Sequence, residues 1–298
     1  MSDNLALEQR QSGIPGSRPA LSQIIDLERY PIHQPDHPET KALIRRCREE
    51  LDDVGCAVIS NFVTTASLAR MQAEAERLMP QTFWSQDDHT PYMTKDDPSL
   101  PADHPRRFFQ KRTSGFINSD FLEESSDLRT IYDWQGMTDF ISACVGVAPL
   151  YCWADPLGRN PYSIMNEGGY FPWHFDGNEF TVSILVQEAE AGGIFEYCPD
   201  IRSPEAENFD HVKSVLNGGR DGVRELPLKP GDLQLFKGRF SMHRVTKVQG
   251  PRQRIIALPT YVKDPDSVNR PERAKQFYGR ALPIHFEREA IRPDRLAD

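Results

Sequence analysis

Long apolar runs are missing from this 298-residue chain, and no uninterrupted stretch approaches the roughly 20 residues that cross a bilayer. A membrane partner is therefore not expected. The opening residues, MSDNLALEQRQSGIPGSRPA, lack an apolar signal core, so no secretory leader is expected and a cytoplasmic location is. A basic surplus is also lacking. Lys and Arg number 35 against 44 Asp and Glu, a net charge of -9, which leaves nothing to neutralise phosphates and disfavours a nucleic-acid partner. Cysteines are few: Cys47, Cys56, Cys144, Cys152 and Cys198 are widely spaced and never form CxxC. That pattern excludes a disulfide framework, argues against a zinc knuckle, and reads as reduced thiols filling a core. What remains is ordinary globular composition, 38% hydrophobic and 27% charged, in a chain long enough for one large domain. The expected partner is a small molecule; a homo-oligomer is left open.

Residues 1–20 carry Gly, Pro and Ser without periodicity and read as a loose N-terminal arm. DHPETKALIRRCREELDDV (36–54) has apolar residues at helical spacing, GCAVISNF (55–62) is a short β-prone run, and TTASLARMQAEAERLMP is a second helix with threonines at its cap. Residues 81–115, rich in Asp, Pro, His and Thr, read as a long surface loop with the role of a lid, and 121–146 as a third helix. From Pro149 onward the texture changes to short β-prone runs separated by Gly, Pro, Asn and Asp, with a polar insertion over 203–225. The expected architecture is α+β: a single catalytic domain over 21–298, with a helix-rich support (21–148), an antiparallel double-stranded β-helix or jelly roll (149–265), and a C-terminal extension (266–298).

The run WHFDGNEF, residues 173–180, sets a histidine and an aspartate two apart within aromatic surroundings. On a strand, positions i and i+2 share a face, so His174 and Asp176 are expected to point together. A second histidine, His243, follows 67 positions beyond Asp176, after the Pro-Gly turn of LKPGDLQLFKGRFSMHRV. Two imidazoles and one carboxylate on one side of a metal make a facial triad, which suits ferrous iron and leaves the opposite positions open. A structural zinc site would take four protein ligands, usually with thiolate.

The order of features strengthens that reading: HxD, then EAGGIF, then LKPGDLQLFKG, then His243, then GPRQR ahead of an apolar strand. This order resembles the iron(II)/2-oxoglutarate-dependent dioxygenase superfamily, loosely over residues 50–265 and closely over 166–262. The resemblance implies Fe(II), 2-oxoglutarate and molecular oxygen as cofactors. It also implies decarboxylation of 2-oxoglutarate to succinate and oxidation, by default hydroxylation, of an unactivated C–H bond. Halogenation is disfavoured, because related halogenases replace the carboxylate by Gly or Ala and Asp176 is present.

The resemblance also calls for an arginine about ten residues after the distal histidine, whose planar fork suits the far carboxylate of 2-oxoglutarate. Arg252 and Arg254 both qualify, nine and eleven residues after His243. The family's usual Arg-x-Ser maps the anchor to Arg252 and puts Arg254 where a hydroxyl is usual, so either arginine fits, or Arg254 reaches a substrate carboxylate. Asn166 and Tyr162, sharing parity on the preceding strand, are candidates to contact the cosubstrate. Arg244, Arg239, Glu196 and Trp173 are candidates for the substrate pocket, and His33, His37, His89, His104, His211 and His285 read as surface histidines. The expected substrate is a small polar metabolite such as an amino acid or carboxylate. Two alternatives stand beside this reading: a cupin-like iron protein that does not use 2-oxoglutarate, and a non-catalytic β-barrel binding module in which HFD is ordinary packing.

Overall fold

The computed structural model describes residues 18–85 and 87–290; all but the last three positions of the expected arm lie outside them. Helix α1 (Pro38–Val54) starts with proline in its first turn and His37 accepting from the Glu39 amide, and it stops at Gly55 in the left-handed region (φ 71°). Its buried side is Thr40, Leu43, Cys47 and Leu51, the helical spacing read from the sequence. Helix α2 (Thr65–Leu78) is capped by Thr64, whose hydroxyl accepts from the Ser67 amide. The expected third helix divides at Trp134, which takes an extended backbone between α3 (Asp127–Asp133) and α4 (Gln135–Val145).

Eleven strands build two sheets. They are β1 (Cys56–Ile59), β2 (Phe83–Ser85), β3 (Ser114–Ile117), β4 (Tyr162–Met165), β5 (Phe171–His174), β6 (Thr181–Gln187), β7 (Phe195–Cys198), β8 (Arg224–Leu226), β9 (Leu233–Phe236), β10 (Met242–Val245) and β11 (Arg254–Ala257). The large sheet has the order β1-β9-β6-β11-β4-β3-β2 and the small one β8-β7-β10-β5, all neighbours antiparallel. The stretch 81–115 is thus not all loop. Its ends supply β2 and β3, and between them Asp88–His89 pairs with Gln110–Lys111.

Alternation along the strands decides which face meets what. On the large sheet Tyr162, Ile164, Val182, Ile184, Val186, Leu233, Leu235, Ile255 and Ala257 join the apolar sides of α1, α2, α3 and α4 in one core. The opposite face sends Cys56, Met165 and Phe236 against Phe171, Phe195, Tyr197 and Val245 of the small sheet. The outer face of the small sheet is covered in turn by helix α5 (Phe209–Leu216), with Trp173, Cys198 and Met242 against Val212, Val215 and Leu216. The result is the two-sheet jelly roll expected from the sequence, braced by helices. All five cysteines are free.

The C-terminal extension forms helices α6 (Pro271–Tyr278) and α7 (Pro283–Ala290) and is tied down by one carboxylate. Asp155 accepts from the amides of Leu157, Gly158 and Asn269 and from the Asn269 side chain, and His285 Nε2 lies 3.2 Å away. Asp155 and His285 are fully buried, so His285, expected at the surface, is a core residue; His89, at 5% exposure, is another. Asp155→Ala strands several buried donors at once. At about 1–3 kcal/mol for each unpaired group, with partial relaxation, the expected loss is about 3–5 kcal/mol. A urea midpoint shift at unchanged slope checks it, and a loss below about 1 kcal/mol would contradict the role.

Candidate metal centre

His174 and His243 are cross-strand partners on β5 and β10, and the register shifts immediately beyond them. Their rings lie 4.0 Å apart between centroids. Each Nδ1 meets the carbonyl two residues earlier: His174 that of Pro172 at 2.8 Å, His243 that of Ser241 at 3.0 Å. A carbonyl only accepts, so Nδ1 carries the proton and the Nε2 lone pair is left for a metal. Asp176 does not sit on the strand as expected. β5 ends at His174, and Asp176 lies in the irregular backbone that follows, its amide donating to the Gly238 carbonyl. It nevertheless turns Oδ1 to both rings, 3.6 Å from His174 Nε2 and 3.4 Å from His243 Nε2. The three ligand atoms lie within 4.8 Å of one another and form the sole such group among the described residues. Ligands at about 2.1 Å from a shared ion in adjacent positions stand roughly 3 Å apart, so a small closing movement fits a metal.

Burial, then the neighbouring His243, pushes the His174 imidazole down to about 4, which keeps it neutral and ligand-ready at physiological pH. Burial pushes the Asp176 carboxyl up, but His243 and His174 more than offset it and hold it well below the usual range. The walls are aromatic: Phe171 at 4.1 Å from the His174 ring, Phe236 at 4.8 Å and Phe195 at 5.6 Å from that of His243.

The two arginine candidates separate cleanly. Arg252 lies ahead of the strand, exposed, donating to the Ala189 carbonyl. Arg254 opens β11 opposite Met165, and alternation against Ile255 and Ala257 turns it to the inner face, at 3% exposure. Burial alone lowers its guanidinium, to about 10, with no carboxylate contributing. Gly193 is needed beside it: its φ is 61°, and a Cβ there would lie 3.0 Å from Arg254 Cδ.

Other expected residues are placed elsewhere. Tyr162 has the opposite parity from Arg254's neighbour Met165, so it enters the helical core and donates to Glu74. Asn166 is exposed and accepts from Gln253. Trp173, Glu196 and Arg244 lie on the outer face of the small sheet, because they alternate with His174, Tyr197 and His243. There Glu196 joins Arg244 at 2.5 Å and Arg220 at 2.7 Å, and the Arg244 guanidinium sits over Trp173. Arg239 donates to the carbonyl of Gly177, the residue after Asp176.

Burial raises the Glu196 carboxyl, but Arg220 and Arg244 offset this and hold it below its ordinary value. Its stabilising contribution is therefore present above the unfolded glutamate pKa and lost as pH falls through the lower folded value. Glu196→Gln should cost about 1 kcal/mol at neutral pH, since both arginines are partly exposed, and the gap to wild type should close in acid. Thermal melts across pH check this; a gap independent of pH would contradict it.

Sequence reasoning missed a second buried guanidinium. Arg112, just before β3, is 1% exposed, and its Nε and Nη2 have no hydrogen-bond partner. Its guanidinium carbon lies 4.1 Å from the Phe277 ring centroid, 5.3 Å from that of Phe171 and 5.4 Å from that of Phe116. Burial lowers it to about 10, so it stays charged. Ser85, Ser114, His89 and Gln110, from the same strands and pairings, also carry buried polar atoms without partners. In the sequence it stands in a basic, polar stretch, RRFFQKR, with nothing to mark it as buried.

A family model described as Halogenase D matches residues 39–277. Among solved structures, the non-heme α-ketoglutarate-dependent carbocyclase SnoK of nogalamycin biosynthesis aligns at TM-score 0.50 and 12% identity, covering 74% of this chain and 85% of that one. A 2OG-Fe(II) oxygenase family oxidoreductase from Burkholderia pseudomallei aligns at 0.49 and 14%, covering 74% and 92%. AviO1 from Streptomyces viridochromogenes aligns at 0.48 and 18%, covering 77% and 97%. No curated protein matches.

Proposed function

The chain belongs to the halogenase D family and has the fold of the iron(II)/2-oxoglutarate-dependent oxygenases, and from that premise we propose that it is such an oxygenase, hydroxylating an unactivated C–H bond of a small anionic metabolite, an amino acid or related carboxylate. The observation that carries the reading is the convergence of His174 Nε2, His243 Nε2 and Asp176 Oδ1 on one inner point of the barrel. When bound there, ferrous iron with 2-oxoglutarate supplies the activation of molecular oxygen.

The protein's part is holding and shielding. The two imidazoles and the carboxylate grip from one side. Arg254, a buried cation without a counter-ion among the described residues, suits the far carboxylate of 2-oxoglutarate, and its location favours it over Arg252. Arg112 is a second buried cation, one aromatic ring from His174; Tyr278 and Asp87 offset its burial only in part, and it suits a carboxylate on the substrate. Leaving a buried charge unpaired costs several kcal/mol, so an anionic ligand at each is the economical explanation. The strap between β2 and β3 runs beside the metal ligands, with Pro91 accepting from the Phe175 amide between two of them. Tyr92 of the strap meets Phe175 in a tilted ring contact, 5.2 Å between centroids, and a lid role for this strap is part of the proposal.

Family membership favours one second reading, halogenation. Against it stands Asp176, which fills the position a halide would need. The test is turnover with Fe(II), 2-oxoglutarate and oxygen over a panel of amino acids and carboxylates, each paired with its amide, with and without chloride. Expected are succinate and a product heavier by one oxygen, for the carboxylates and not the amides. A chlorinated product would establish the second reading. Iron binding indifferent to 2-oxoglutarate would favour a cupin-like protein, and no iron binding a non-catalytic module.

A further inference from the structure

Asp176 has two oxygens, and the structure treats them differently. Oδ1 faces both imidazoles, whereas Oδ2 accepts from the Thr181 hydroxyl at 2.5 Å. Thr181 opens β6 five residues on, opposite Phe236, where the sheet fixes its backbone. Gly238 closes the remaining side: a Cβ there would lie 2.0 Å from Oδ2, so the carboxylate fits against bare backbone. We infer that Thr181 is a positioning residue that makes Asp176 a one-oxygen ligand by occupying Oδ2. The inference rests on the oxygenase reading above.

Counting positions shows what this achieves. Six coordination positions less two imidazoles and one carboxylate oxygen leave three, two for 2-oxoglutarate and one for oxygen. A carboxylate gripping through both oxygens leaves two, so cosubstrate and oxygen would compete with it. A charge-assisted hydroxyl–carboxylate bond of this length is among the stronger hydrogen bonds, and it turns the Oδ2 lone pairs away from the metal. Nothing else donates to Oδ2 among the described hydrogen bonds.

The test uses Mn(II) as a redox-silent probe and measures 2-oxoglutarate affinity of the Mn(II) protein, with the thermal midpoint of the metal-free protein alongside. Thr181→Val keeps the shape and removes the hydroxyl. It should melt near wild type and still bind Mn(II), yet bind 2-oxoglutarate at least about tenfold more weakly, the usual cost of losing a group that orients a ligand. Thr181→Ser, which restores the donor, should return to within about threefold of wild type. Thr181→Ala serves as the hydroxyl-free variant should valine prevent folding. Wild-type 2-oxoglutarate affinity in the hydroxyl-free protein, or equal loss in the serine variant, would overturn the inference alone. Failure of the wild type to bind Mn(II) would overturn it together with the oxygenase reading.

Discussion

Arg254→Leu is expected to raise the KM for 2-oxoglutarate by about two orders of magnitude, while Arg252→Ala leaves it within about twofold. The difference follows from position. Arg254 is buried on the inner face with no carboxylate beside it, and Arg252 is exposed ahead of the strand. Losing a two-pronged, charge-assisted contact to a carboxylate costs about 2–3 kcal/mol, and about 2.7 kcal/mol is a hundredfold. Arg254→Lys should fall between, because an ammonium supplies charge without the fork. Initial rates against 2-oxoglutarate concentration decide it. A large effect at Arg252 with none at Arg254 would return the anchor to the position the family spacing suggests.

The second large effect is expected at Arg112, and it has two signs. Arg112→Met removes a buried cation whose Nε and Nη2 are unpartnered and keeps the side chain's bulk among Phe116, Phe171 and Phe277. The ligand-free protein should therefore be as stable or more so, by about 1–3 kcal/mol, a rise of a few degrees in Tm. Activity should move the other way: kcat/KM for the substrate should fall at least about a hundredfold if the guanidinium holds its carboxylate. The KM for 2-oxoglutarate should not change. Such opposition between stability and function marks a site built for a ligand. Loss of stability without a change in substrate kinetics would instead make Arg112 an ordinary core residue.

Much of this was legible in the sequence because it depends on local chemistry. Helix α1 announces itself by Leu43, Cys47 and Leu51 at four-residue spacing between Pro38 and Gly55. The two-sheet barrel is written in short alternating strands, and the three proposed ligands in HxD and a distant histidine. What failed was parity across irregularities. Asp176 lies past the end of β5, so the i, i+2 argument does not describe how it comes to face the two imidazoles. Tyr162 was placed on the inner face, but Met165 and Ser163 have that parity, and Tyr162 belongs to the helical side. Trp173, Glu196 and Arg244 alternate with the site rather than line it.

Arg112 was invisible for another reason. Its environment is made by Phe116, Phe171 and Phe277, which are distant in sequence, and a basic residue in a polar stretch has the signature of a solvated one. The strap 81–115 read as loop because β2 and β3 are three and four residues long. Thr181 was unremarkable as the first residue of a β-branched strand.

The central claim is that residues 174, 176 and 243 together hold one ferrous ion with room left for 2-oxoglutarate. Anaerobic titration of the protein with Fe(II) in the presence of 2-oxoglutarate, followed by visible absorption, tests it most directly. The account predicts a metal-to-ligand band that saturates at one iron per chain and is abolished by His243→Ala. No band in the wild type, or a band that survives that substitution, would contradict it.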